Sequence, residues 1–180
     1  RSLLQGGEQL MEAYECIMTR RSIRKFDPGK PVPPEMVEKL LRAAMMAPSA
    51  GNQQPWEFIV LTDRALLDEM PNLHPYCGMI REAALAVIVC GNKDRAKMPD
   101  YCPVDCSAAT TNLLLAAHAL GLGAVWAGVY PRPERIEPIK KRFNLPENIV
   151  PIALVPIGWP AEKPAQPDRY VPERVHYNGW

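Results

Sequence analysis

Three arginines and a serine fall within five positions at Arg20-Arg21-Ser22-Ile23-Arg24, and Lys25 follows. Guanidinium groups present paired N–H donors that match phosphate oxygens, and the serine hydroxyl adds another donor. Recognition of a phosphate monoester suits that set. In an extended segment Ser22 and Arg24 project to one side and Lys25 to the other. The same residues also make an ordinary basic turn complementing the end of a preceding helix, so the cluster alone decides nothing. A second constellation is Pro48-Ser49-Ala50-Gly51-Asn52-Gln53-Gln54-Pro55-Trp56. Its small residues let backbone approach a planar ligand, and its amides offer donors and acceptors to imide edges. A third, Trp126-Ala127-Gly128-Val129-Tyr130-Pro131, lies at a strand end, where Ala127 and Gly128 could present backbone N–H groups.

Elements that would position these residues can be read from periodicity. Leu10, Met11, Tyr14, Ile17 and Met18 form one stripe of a helix. Pro33-Pro34-Glu35 opens a second helix that Pro48 ends, with Val37, Leu40, Leu41, Ala44 and Met45 inward. Strands are expected at Glu57–Thr62, Leu85–Cys90, Ala124–Val129 and Ile152–Ile157, and helices at Asp63–Met70 and Pro133–Phe143. Asp105–Leu122 is apolar all round, which favours burial in a subunit interface over a single surface stripe. After Gly158 the chain is proline-rich and aperiodic, as an extended arm would be. The interleaved order predicts an α+β sandwich. Residues 1–10 read as a flexible extension or an added leader, 11–160 as one domain, and 161–180 as an arm lying on a partner.

Composition removes several function classes. Lys and Arg number 21 against 20 Asp and Glu, so no broad attraction to nucleic acid is expected. No apolar run reaches the length of a membrane span, and a cytoplasmic, reducing location is expected. Five cysteines, at 16, 77, 90, 102 and 106, do not form a disulfide framework. Cys102 and Cys106 lack a second pair that would complete a metal site, so no metal is expected. Their place ahead of a helix could lower the pKa of Cys106. His74, His118 and His176 have no evident acid–base partner and read as structural. No dinucleotide glycine fingerprint follows a strand, and no P-loop is present.

Taken together, these segments resemble the nitroreductase family of flavin-dependent oxidoreductases. Arg20-Arg21-Ser22-Ile23-Arg24-Lys25-Phe26 matches the family's opening R-[RH]-S-x-[RK]-x-[FY] pattern. Pro48, Ser49, Asn52, Gln54, Pro55 and Trp56 match its P-S-x-x-N-x-Q-P-W segment. Gly121–Trp126, Ile157–Pro160 and Arg174-Val175-His176-Tyr177 are also similar. The resemblance implies a three-layer sandwich with a mostly antiparallel central sheet, an intertwined homodimer, and FMN at the subunit interface. It implies that Arg20, Arg21, Ser22 and Arg24 hold FMN from one subunit, and Pro48, Ser49, Ala50 and Asn52 from the other. Trp126, Ala127 and Gly128 would pass the isoalloxazine with an N–H near N5, and Arg169 would reach the phosphate. NAD(P)H would be the reductant, and a nitroaromatic, quinone or related small molecule the acceptor, by ping-pong exchange. Flavin N5 carries the chemistry, so no catalytic side chain is implied. A specialised relative of dehalogenase or flavin-fragmenting type, or a non-catalytic flavin binder, is the alternative. Asn72–Arg81 matches none of the polar residues that longer members place there.

Overall fold

The computed structural model describes residues 11–180, so the part of the expected first helix at Leu10 and the reading of residues 1–10 lie outside it. Five α-helices and five strands follow in the order α1 (Ala13–Thr19), α2 (Pro34–Met45), β1 (Trp56–Leu61), α3 (Arg64–Leu73), β2 (Leu85–Asn92), α4 (Cys102–Ala119), β3 (Gly123–Ala124), β4 (Ala127–Gly128), α5 (Pro133–Arg142) and β5 (Ile149–Gly158). The sheet order is β1-β2-β5-β3, with β4 also on β5, and every pairing of these strands is antiparallel.

The central strands β2 and β5 are apolar on both faces because both faces are covered. On one face Val87, Val89, Val155 and Ile157 pack against Leu40 and Ala44 of α2 and Ala109, Leu113 and Ala117 of α4. On the other, Ala86, Ile88 and Leu154 meet Leu67 and Met70 of α3 and Ile139 of α5. This is the three-layer sandwich with a mostly antiparallel sheet that the resemblance implied. Capping follows local rules: the Asp63 carboxylate accepts the N–H groups of Ala65 and Leu66, and Pro34 and Pro133 occupy first turns.

Three expectations needed revision. The strand expected at Ala124–Val129 is split into β3 and β4, although one register runs through both. Val125 faces Pro156, whose carbonyl accepts the Val125 N–H but which has no N–H to return, so the ladder breaks there. Helix α4 begins at Cys102 rather than Asp105, with Pro103 in its first turn. Its own chain already buries Ala109, Leu113, Leu114 and Ala117, so all-round apolarity partly reflects contacts with both sheet and α2. Conversely, the α1 stripe is not buried within the chain: Tyr14 is 72% and Ile17 58% exposed, and only Cys16 is enclosed.

The C-terminal arm has one short turn, at Pro172–Arg174, and no strand or longer helix. Its first residues lie on their own chain: Ala161 N–H donates to Lys25 O, and the Glu162 carboxylate accepts the Arg24 and Lys25 N–H groups. Beyond Ala165 it is largely exposed.

Candidate functional site

The segment Arg20–Phe26 runs along the open edge of the sheet. Ser22 bridges Ala124 in parallel, Ile23 N–H donates to Ala124 O at 3.0 Å, and Phe26 bridges Pro160. Gly123 permits this approach, because a Cβ there would stand 2.7 Å from Ile23 Cγ2. Ile23 and Phe26 are buried, which anchors the segment and leaves Arg24 outward. The arginines then divide. Arg21 donates to the carbonyls of Met18, Arg20 and Ala165, so its guanidinium clamps the end of α1 to the arm instead of facing a ligand. Arg20 lies near Arg169, and burial, then the Arg169 and Arg21 charges, push its pKa below the ordinary arginine value. Among the described residues no carboxylate pairs with Arg20, Arg24 or Arg169. Arg20 and Arg169 therefore repel one another, and an anion between them would relieve that repulsion.

Along the same edge, three residues past the Ala124 that Ser22 bridges, begins β4. In the shared register, Trp126 and Gly128 alternate with residues bonded to β5, so their N–H and C=O groups point off the ladder. The Gly128 carbonyl is captured twice, by His74 Nε2 at 2.9 Å and Arg135 Nη1 at 2.7 Å. Neither the Trp126 nor the Gly128 N–H has a partner among the described residues. A Cβ built on Gly128 meets nothing within 4 Å, so the backbone is open to a flat ligand.

The Pro48–Pro55 loop is held elsewhere. Gly51, Asn52 and Gln54 all take positive φ, making a tight irregular turn. The buried carboxylate of Asp105 accepts Ala50 N–H at 2.9 Å and Gln53 Nε2 at 2.7 Å. Gln53 also bonds both backbone groups of Met98, which occupies the amide expected to face a ligand. Gln54 is tied to Ser49 and Asn52. Asp105 lies in the first turn of α4, whereas His118 near its far end bonds Thr19 at 2.8 Å beside the arginine segment. The two are thirteen positions apart along the helix, about 20 Å at 1.5 Å per residue. One chain therefore sets the arginine segment, with Arg20 near Arg169 and Ser22 paired with Ala124, at one end of α4, and holds Pro48, Ser49, Ala50 and Asn52 at the other.

Comparison with known proteins places the chain in a family. The family model described as "Nitroreductase family" matches residues 17–77 and 72–159. The chain belongs to the nitroreductase family. A candidate NADH dehydrogenase/NAD(P)H nitroreductase from Methanothermobacter thermautotrophicus is 45% identical, covering 98% of this chain and 92% of that protein. A crystal structure of a protein given the same name, from Parabacteroides distasonis, has a TM-score of 0.88 at 43% identity, covering 93% of this chain and 98% of the other. A crystal structure of a candidate nitroreductase from Desulfovibrio desulfuricans in complex with FMN has a TM-score of 0.81 at 29% identity, over 93% and 97% of the two chains.

Within this nitroreductase-family chain, sequence reasoning missed Asp105, Arg135 and the role of His74. His74 sits in the Asn72–Arg81 stretch for which no family match was evident. The cysteines differ from expectation in one respect. Cys106 donates to Cys102 and is itself deeply buried, so its pKa is raised, whereas that hydrogen bond holds Cys102 below the ordinary thiol value. Burial pushes the Cys77 thiol to about 11 and Cys90 to about 12. Among the described residues no three His, Cys, Asp or Glu side chains gather as metal ligands, and no helix is long and apolar enough to cross a membrane.

Proposed function

We propose that this chain is an NAD(P)H-dependent FMN oxidoreductase that works as a homodimer and reduces nitroaromatics, quinones or related small acceptors by ping-pong exchange. The observation that carries the reading is the close pair of Arg20 and Arg169 without a paired carboxylate, on a segment that joins, at Ala124, the same edge whose Trp126 and Gly128 N–H groups are unpartnered. A dianionic phosphate and a flat, acceptor-rich ring satisfy both features at once. FMN, when bound, takes hydride from NAD(P)H and delivers two electrons to the acceptor.

The protein's residues then have separable tasks. Arg20, Arg24 and Arg169 neutralise the phosphate, Ser22 adds a hydroxyl donor, and the β4 edge supplies backbone donors. Arg21 contributes indirectly, by holding the arm that carries Arg169 against the end of α1. Because about 20 Å of α4 separates that half-site from Pro48, Ser49, Ala50 and Asn52, a single FMN meets both only if the second half comes from another copy. A two-fold axis across the outer face of α4 would do this. That face is lined by Ile17, Met46, Leu115, Ala116 and Ala119 around a groove of ≈ 440 Å³, the kind of apolar surface that marks an interface. The named relatives and the FMN complex support the cofactor and reductant.

Purification with visible flavin absorption, a dimer mass in solution, and NADH or NADPH oxidation dependent on an added quinone or nitroaromatic are expected. A folded chain that binds no FMN after reconstitution refutes the assignment. A flavin-loaded chain that never turns over any of these acceptors would instead be a flavin carrier.

A further inference from the structure

We propose that His74 and Arg135 are positioning residues that hold the β4 edge in the conformation that receives the flavin. The inference rests on the FMN reading above.

A carbonyl at an open sheet edge is ordinarily satisfied by water, and one donor suffices. The Gly128 carbonyl receives two, from different elements: His74 caps the C-terminus of α3, and Arg135 lies in the first turns of α5. His74 is 1% exposed, so a polar ring has been buried for this contact. Its orientation is itself determined, since Nδ1 accepts Tyr76 N–H at 3.2 Å and thereby leaves Nε2 as the donor. Arg135 is steadied by the Tyr76 ring, 5.0 Å from its guanidinium carbon. Tyr76 therefore braces both donors.

The need for such bracing follows from the backbone. Gly128 carries no side chain to restrict it, and the Val125/Pro156 break deprives the preceding turn of chain of one ladder bond. Val129 N–H donates to Ile152 O on the far side. With Val129 fixed there, locking the Gly128 carbonyl fixes the strand between the break and that bond. In extended backbone the N–H of Gly128 points to the same side as its carbonyl, so the lock also aims the free donor. A donor held in advance costs less ordering when the ligand arrives. It also favours oxidised flavin selectively, because N5 accepts a hydrogen bond before reduction and carries its own proton afterwards.

The test uses the FMN-reconstituted enzyme and four variants. His74→Phe and Arg135→Met remove a donor, whereas His74→Gln and Arg135→Lys retain one. Dissociation constants for oxidised FMN, measured by quenching of flavin fluorescence, should weaken about tenfold in the first pair and stay within about twofold in the second. The midpoint potential of bound FMN should rise by about 30 mV in the first pair, the equivalent of a tenfold loss confined to the oxidised form of a two-electron couple. A residue that only stabilises the fold would lower the melting temperature and leave that potential unchanged. Arg135→Met, at a partly exposed position, keeps the test decisive if His74→Phe does not fold. If wild type binds FMN and both donor-less variants match its affinity and potential, this assignment falls alone. If wild type binds no FMN, the functional reading falls and takes this role with it.

Discussion

Replacing Asp105 with Asn should loosen half of the proposed flavin site without touching the arginines. The carboxylate is 4% exposed and accepts two bonds, from Ala50 N–H at 2.9 Å and Gln53 Nε2 at 2.7 Å. Each hydrogen bond to a charged group contributes about 1.5–3 kcal/mol. Asparagine keeps one oxygen acceptor but turns its NH2 toward the other donor, so one bond is lost and two donors face each other. Relief of the buried charge offsets part of that loss, which puts the expected cost at about 2 kcal/mol. Asp105→Ala removes both bonds and strands two donors, for about 3–5 kcal/mol. At about 2–4 °C per kcal/mol for a chain of this length, Asp105→Asn should melt about 4–8 °C lower. Protein concentration must be matched, because a dimer's melting temperature depends on it. Affinity for FMN should fall as well, since Pro48, Ser49, Ala50 and Asn52 ride on this loop. If Asp105→Asn melts within 1 °C of wild type and binds FMN normally, the loop is held by something other than this carboxylate.

Other outcomes can be stated briefly. Arg24→Ala should weaken FMN binding about ten- to a hundredfold by titration, and Lys25→Ala far less, because only Arg24 shares the face of Ser22; equal constants refute that geometry. His118 is held below the ordinary histidine pKa by burial and then by Arg20 and Arg21. Its stabilising contribution is therefore full above about pH 6.5 and lost as pH falls below it, so His118→Gln should flatten the decline in melting temperature between pH 7.5 and 5.5. Gly91→Ala places a Cβ 2.2 Å from Cys102 Sγ and 3.4 Å from Cys106 Sγ, so it should destabilise by about 1–3 kcal/mol, and Cys102→Ala should restore much of this in urea titrations. The double variant Cys102→Ser, Cys106→Ser should keep quinone reduction within a fewfold of wild type; loss of turnover in a folded, FMN-loaded double variant would bring the thiols into the reaction.

How much of this was legible in the sequence depended on separation along the chain. The strands β2 and β5 announce themselves as unbroken apolar runs, and α2 by its proline start and inward stripe. The arginine segment, the Pro48–Trp56 loop and Trp126-Ala127-Gly128 stand out because each is a local cluster. What stayed hidden joins distant residues. Asp105 bonds Ala50 across 55 positions and His74 bonds Gly128 across 54, and neither pairing leaves a local pattern. Pro156 breaks a strand 31 positions earlier, at Val125, only because the register sets them opposite each other. Arg21 looked equivalent to its neighbours; the backbone carbonyls that consume its guanidinium come from the end of α1 and from the arm.

The position of Pro156 ties the fold to the site. Toward β2 it lies opposite Ala86, at a position where the antiparallel ladder asks for no N–H, so the central pairing survives. Toward β4 the ladder does ask for one, and that is where the proline withholds it. An interrupted outer strand is a liability, since exposed edges recruit other chains. Here the edge is managed piece by piece. Ser22 and Ile23 cover Ala124, His74 and Arg135 cap the Gly128 carbonyl, and the arm crosses the adjoining segment at Ala161. The donors left over are the N–H groups of Trp126 and Gly128, on the edge that the arginine segment joins at Ala124. Edge protection alone gives no reason to leave these two donors open. Open donors at this point are what the proposed flavin-binding role requires.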